Sequence, residues 1–152
     1  MQVRDVMTEA PVTDSAADTL RAAAERMWRQ QTGSLLVMED DRLAGIITER
    51  DLLRAVARGE DLNTATVEKA MTTEVLTVAP DASLRDAAAQ MAARWIRHLP
   101  VVEAGRVLGM VSMRDITGIF ASLWQADVPV DHDLQQMVRA RRLARIEHGD
   151  LD

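Results

Sequence analysis

Two short runs carry the residue types that could do chemistry. One reads Gly45-Ile46-Ile47-Thr48-Glu49-Arg50-Asp51 and the other Gly109-Met110-Val111-Ser112-Met113-Arg114-Asp115. Each sets a hydroxyl three residues ahead of a carboxylate, after an apolar strand and where a helix should begin. That spacing has two readings. As a cap, Thr48 with Asp51, and Ser112 with Asp115, would tie off free backbone N–H groups in the manner of the Ser/Thr-x-x-Glu box, and the acid would suit the helix dipole. As a binding site, a helix N-terminus attracts an anion, and a carboxylate accepts the two hydroxyls of a ribose. The two readings are compatible. No catalytic set accompanies them. His98, His132 and His148 lack metal-ligand spacing. Neither a Gly-x-x-x-x-Gly-Lys-Ser/Thr phosphate loop nor a Gly-x-Ser-x-Gly elbow occurs. Cysteine is absent, which excludes a thiol nucleophile, a disulfide and a zinc-thiolate centre.

The elements that must hold these runs come in duplicate. Shifted by 64 positions, the chain matches itself at 16 of the 50 positions from Val3 to Leu52. About three matches are expected by chance from ordinary composition. The shift superposes Met7-Thr8 on Met71-Thr72, Leu20-Arg21 on Leu84-Arg85, Gly45 on Gly109 and Arg50-Asp51 on Arg114-Asp115. Each copy predicts a polar lead, a short extended piece (Val12-Thr13; Val75 to Val78), an amphipathic helix, a hairpin and a second helix. The helix faces are Leu20, Ala23, Ala24, Met27, Trp28 and Leu84, Ala87, Ala88, Met91, Ala92, Trp95, with Asp18 and Ser83 as caps. The hairpins run Leu35–Met38 with Leu43–Ile47, and Leu99–Val102 with Val107–Val111. Tryptophans 28, 95 and 124 suit core or interface packing better than base stacking. The fold class is α/β (α+β), two β-α-β-β-α units of about sixty residues. One unit alone buries little apolar surface, which is a physical reason for the pair. The divisions are 1–62, 63–121 and a helical extension over 122–152.

Composition narrows the partners. Of 152 residues 47% are hydrophobic, enough for a packed core. No run of about eighteen apolar residues predicts a membrane span, and the N-terminus is too mixed for a signal peptide. With no cysteine, these features favour the cytoplasm. The net charge of −6 argues against nucleic acid as the main partner. The extension carries an imperfect apolar stripe (Leu134, Met137, Val138, Leu143, Ile146) and a basic run from Arg139 to Arg145. It would pack on the protein's own dimer or dock a protein partner.

The doubled unit, the Met-Thr leads, the strand Arg97-His98-Leu99-Pro100-Val101-Val102 and both Gly-φ-φ-Ser/Thr-x-x-Asp endings (φ apolar) resemble a tandem pair of cystathionine-β-synthase (CBS) domains. The likeness runs from about Met1 to Phe120. It implies a regulatory module rather than an enzyme, with sheets related by a pseudo-twofold axis and a ligand held between the repeats. The implied ligand is AMP, ADP, ATP or S-adenosylmethionine. No cofactor is required, and an adenylate ligand would make the pair an energy sensor. By the same resemblance Asp51 and Asp115 take ribose hydroxyls, and Thr48 and Ser112 contact ribose or phosphate. One cleft would join Ser112 and Asp115 with Val12, Thr32, Gly33 and Ser34. The other would join Thr48 and Asp51 with Leu76, Ile96, Arg97 and His98. Arg97-His98, where the first repeat has Gly33-Ser34, favour the Ser112/Asp115 cleft for a phosphate. By residue type alone Arg97 is equally a solvated charge and His98 a half-exposed strand residue. Arg50 and Arg114 face phosphate or water. The family's habit also implies a homodimer. The alternative is a scaffold with vestigial clefts, acting through dimerisation and its C-terminal helix.

Overall fold

The structure is a computed structural model and describes residues 1–125 together with Leu143. The predicted extension helix over about Leu134 to Glu147, with its basic run, lies outside the described residues but for Leu143. Among the described residues no helix is long and apolar enough to cross a membrane.

The chain forms two compact units. One is Pro11–Val75; the other combines Met1–Ala10 with the chain from Leu76 onward. In the first unit β2 (Thr13–Asp14) leads into α1 (Leu20–Gln30), the hairpin β3 (Ser34–Glu39) and β4 (Arg42–Thr48), then α2 (Glu49–Ala57) and the short α3 (Val67–Ala70). β2 pairs parallel to β3, which needs the crossover that α1 supplies, and β3 pairs antiparallel to β4. In the second unit β1 (Thr8–Glu9), α4 (Leu84–Ala93), β5 (His98–Glu103), β6 (Arg106–Ser112) and α5 (Met113–Gln125) repeat the plan. Its sheet order is β1-β6-β5. The β2 equivalent is reduced to one parallel bridge, Val78 to Val101.

The leads depart from the repeat read in the sequence. Thr8 and Glu9 pair antiparallel with Met110 and Gly109, in the second repeat's hairpin. Thr72, from the second lead, exchanges both backbone hydrogen bonds with Ile46 in the first repeat's hairpin (3.0 and 2.9 Å). Each packing unit is therefore one repeat's strands and helices completed by the other repeat's lead. Gly45 and Gly109 permit this. A Cβ on Gly45 would stand 2.9 Å from the Thr72 carbonyl oxygen, and one on Gly109 would stand 2.6 Å from that of Thr8.

Each unit has its own apolar core. Leu20, Ala23, Met27, Leu35, Val37, Ile47 and Val67 are buried in one; Val3, Val6, Leu84, Met91, Leu99, Val111 and Ile119 in the other. The cap of α1 is Thr19, whose Oγ1 accepts from Ala22 N at 3.2 Å, and not Asp18; Ser83 caps α4 as predicted. Asp18 is instead drawn to Arg26. The hairpin turns use left-handed residues, Asp40 with Asp41 and Ala104 with Gly105, as two-residue hairpins require. Trp28 and Trp95 are 60% and 83% exposed, so neither is a core residue. The last buried residues of the two helix faces are Met27 and Met91; Trp28 follows Met27 directly, and Trp95 stands two residues past the end of α4 in left-handed backbone. The Trp124 side chain falls outside the described residues.

Candidate functional site

The strand-to-helix corners are built alike. In the first unit the Glu49 N–H donates to the Gly33 carbonyl at 3.0 Å; in the second, the Met113 N–H donates to the Arg97 carbonyl at 2.8 Å. The start of each hairpin therefore satisfies the first N–H of the helix that follows it. Ser34 lies opposite Thr48, and His98 opposite Ser112, in antiparallel register. The capping box is complete at both corners. Asp51 Oδ2 accepts from Thr48 N (2.8 Å) and Oγ1 (2.9 Å), and the Thr48 side chain accepts from the Asp51 N–H. Asp115 Oδ2 accepts from Ser112 N (3.0 Å) and Oγ (2.6 Å), and Ser112 Oγ accepts from Asp115 N at 3.1 Å. These bonds fix each carboxylate rigidly. They use one oxygen of the acid and the hydroxyl proton, leaving the other oxygen, Oδ1, to face further chemistry.

The corners differ at that second oxygen. Asp51 is buried, and its Oδ1 accepts from Arg54 Nη2 at 2.7 Å. The same nitrogen reaches the Ala70 carbonyl at 3.4 Å. Shifted by the repeat, Arg54 falls on Gly118, which has no side chain to offer. Among the described residues Asp115 Oδ1 accepts no hydrogen bond, and the residue is half-buried. The flanking charges differ too. Arg97 is exposed and His98 half-buried beside Ser112, where the first unit has half-buried Gly33 and buried Ser34. Arg50 and Arg114 both point outward as exposed residues.

The remaining predicted site residues are distributed as follows. Thr32, Gly33 and Ser34 stand at their own repeat's corner, with Thr32 Oγ1 donating to the Ser34 carbonyl at 3.2 Å. Among the described residues the buried Ser34 hydroxyl has no hydrogen-bond partner. Val12 is half-buried against the first unit's core and its carbonyl accepts from Leu36 N at 3.1 Å. Leu76 and Ile96 are half-buried against the second unit's core. Within a unit, then, the hairpin start and the Ser/Thr-x-x-Asp ending of the same repeat come together.

Sequence reasoning missed two features. Arg54 follows Asp51 by three residues on one helix, a spacing at which side chains meet, so its signal was available. The second is a cluster in which the buried Asp14 carboxylate contacts Arg26, which also donates to Asp18 at 3.3 Å. Burial, then a hydrogen bond with Asp18, push the Asp14 carboxyl from 3.8 up to about 6 against the opposing pull of Arg26. Among the described residues one buried Asp14 oxygen, Oδ2, has no hydrogen-bond partner. The second repeat places Val78 and Gln90 at the positions of Asp14 and Arg26.

Comparison with known proteins agrees with this architecture. The family description of the CBS domain matches residues 3–58 and again 67–122. The CBS domain-containing protein YhcV of Bacillus subtilis is 37% identical over 115 residues, spanning 75% of this chain and 81% of that protein. Among solved structures, the CBS domain NE2398 superposes with a TM-score of 0.76 at 29% identity, covering 80% of this chain and 98% of that one. The CBS domain pair of protein MJ0100, solved with 5′-methylthioadenosine and S-adenosyl-L-methionine, gives 0.75 at 28% identity over 81% and 98%. Both repeats are matched and both fold alike, so the chain belongs to the CBS domain family and carries the domain twice in tandem.

Proposed function

We propose that the chain is a regulatory, non-catalytic module, at work in the cytoplasm, that binds an adenosine-type ligand at the Ser112/Asp115 corner. The observation that carries this reading is Asp115. Its carboxylate is locked in orientation by the cap, and Oδ1 has no bond among the described residues. Two hydroxyls of a ribose suit such an acceptor. Arg97, His98 and Arg114 place cationic or ionisable groups about the same helix start, where a phosphate or a sulfonium-bearing amino acid carboxylate would be drawn. The MJ0100 pair binding S-adenosylmethionine supports the ligand class. The ligand acts as signal rather than cofactor. It transmits by binding one conformation of the protein better than another, since equal affinity shifts nothing.

Calorimetric titration with AMP, ATP and S-adenosylmethionine tests this. At a hundredfold excess over its dissociation constant, the right ligand should stabilise the chain by about 2.7 kcal/mol. Asp115→Ala should weaken it roughly 10–100-fold, the worth of hydrogen bonds to a charged group. Asp115→Asn keeps the box more nearly intact and separates ligand loss from cap loss. Binding unchanged in both variants would reject the corner as the site.

A second proposal concerns assembly. Trp28 and Trp95, with Leu53 and Val56 on α2 at 68% and 56% exposure, leave large apolar side chains in water. Large exposed apolar side chains, three on the Pro11–Val75 unit and Trp95 on the other, suit interaction surfaces. We assign them to a homodimer, which would also serve the scaffold reading. Light scattering should give twice the 16.8 kDa chain mass. A monomer at micromolar concentration would rule the homodimer out.

A further inference from the structure

We infer that Arg54 occupies the first repeat's corner as an internal stand-in for ligand, so that the chain binds one adenosine-type molecule, at Asp115, rather than two. This rests on the corner reading proposed above and adds to it a residue that decides stoichiometry. Three of the roughly four lone-pair sites of the Asp51 carboxylate are taken, so the two hydroxyls of a ribose cannot both be accepted without displacing Arg54. Oδ2 already accepts from the Thr48 N–H and hydroxyl, and Oδ1 accepts the guanidinium at 2.7 Å. That last bond joins opposite charges and is stronger than a bond from a neutral hydroxyl. The same Arg54 nitrogen also reaches the Ala70 carbonyl at 3.4 Å. A ribose arriving here would replace a charged donor by a neutral one. The asymmetry is written in the repeat, because Gly118 stands where Arg54 would recur and Asp115 Oδ1 is left open among the described residues. The guanidinium side chain is 47% exposed, so water receives it when it is displaced. The block is therefore competitive, a loss of affinity rather than an absolute closure.

Calorimetry with ATP, AMP and S-adenosylmethionine on the whole chain decides the matter. Wild type should bind one equivalent of one of these probes, and Asp115→Ala should remove it. Arg54→Ala should bind two equivalents. Asp115→Ala/Arg54→Ala should recover binding at least tenfold tighter than Asp115→Ala alone. Arg54 lies on an exposed helix face where alanine is a better helix former, so this variant folds. The reciprocal Gly118→Arg should weaken wild-type binding tenfold or more. Two equivalents on wild type, with Asp51→Ala removing one, would overturn the role of Arg54 while leaving the ligand class standing. So would a single equivalent on wild type that Arg54→Ala fails to double. Failure of every probe on every variant would overturn the corner reading itself, and the inference with it.

Discussion

Gly109→Ala will unfold the protein about 6–12 °C below wild type, from a loss of about 3 kcal/mol at roughly 2–4 °C per kcal/mol for a chain of this size. Local preference argues the other way. A glycine inside a strand is worse than alanine by about 0.5–1 kcal/mol, so without a special contact the substitution would stabilise. The special contact is the lead. The new Cβ would stand 2.6 Å from the Thr8 carbonyl oxygen and 3.1 Å from Met7 Sδ. A backbone oxygen cannot swing aside as a side-chain tip can. The Thr8–Met110 and Glu9–Gly109 pairing must give way, on top of the usual 1–3 kcal/mol for overpacking. Gly45→Ala should behave similarly, through Thr72 O at 2.9 Å and Met71 Sδ at 2.7 Å. Differential scanning calorimetry reads the loss, and amide exchange at Thr8 should accelerate with it. A neutral or stabilised Gly109→Ala would show that the lead does not sit against this strand.

The second large effect concerns the Asp14 cluster. Exchanging Asp14 and Arg26 together for the valine and glutamine that the second repeat uses should stabilise the protein at pH 7 by about 1–3 kcal/mol. A buried ion pair replaced by apolar packing commonly gains on that scale, because two desolvated charges are removed. Val78 shows that a valine is buried comfortably at this register. The gain must depend on pH, with a fixed sign. The Asp14 carboxyl is raised from 3.8 to about 6, chiefly by burial. A raised acid contributes its stability below about pH 4 and loses it as pH rises through 6, on the order of 3 kcal/mol for two units. Asp18, held below its ordinary value chiefly by its hydrogen bond with Asp14, titrates in the opposite sense and trims the difference. Denaturant midpoints for wild type and the double variant should therefore converge near pH 4 and separate by pH 7. Parallel curves, or a less stable variant at pH 7, would contradict this account.

Much of the fold was legible because the periodicity was strong and occurred twice. The helices, hairpins and corners lie where the 64-residue shift and the apolar spacing put them, and the Ser/Thr-x-x-Asp cap formed in both copies. The lead exchange was not legible. Thr8 is as good a partner for Ile46 as for Met110 by residue type, and a repeat does not say which copy its edges join. Trp28 and Trp95 suit core or interface by residue type, and their exposure removes the core: Trp28 sits at the edge of the buried stripe of α1, and Trp95 lies past the end of α4. Thr19 rather than Asp18 caps α1 because the helix begins at Leu20, and the Asp18 carboxylate lies 3.3 Å from Arg26, eight residues on. At the candidate site, the acid and hydroxyl were readable from spacing. The difference between corners was readable only after Arg54 was seen to reach Asp51.

The trading of leads also fixes an order of events on the ribosome. The unit spanning Pro11–Val75 is contiguous, so it has every strand it needs once Thr72 has emerged. Thr8 must wait for Met110, roughly a hundred residues of further synthesis, before it has a strand to join. At about 5–20 residues per second that delay is about 5–20 seconds. Thr8 stays without its strand throughout, and for the last part of that wait, after Thr72 has emerged, the contiguous unit is already able to fold. Cutting the gene at the repeat boundary would part each lead from its strand; a separable fragment must instead begin after Ala10 and run through Val75.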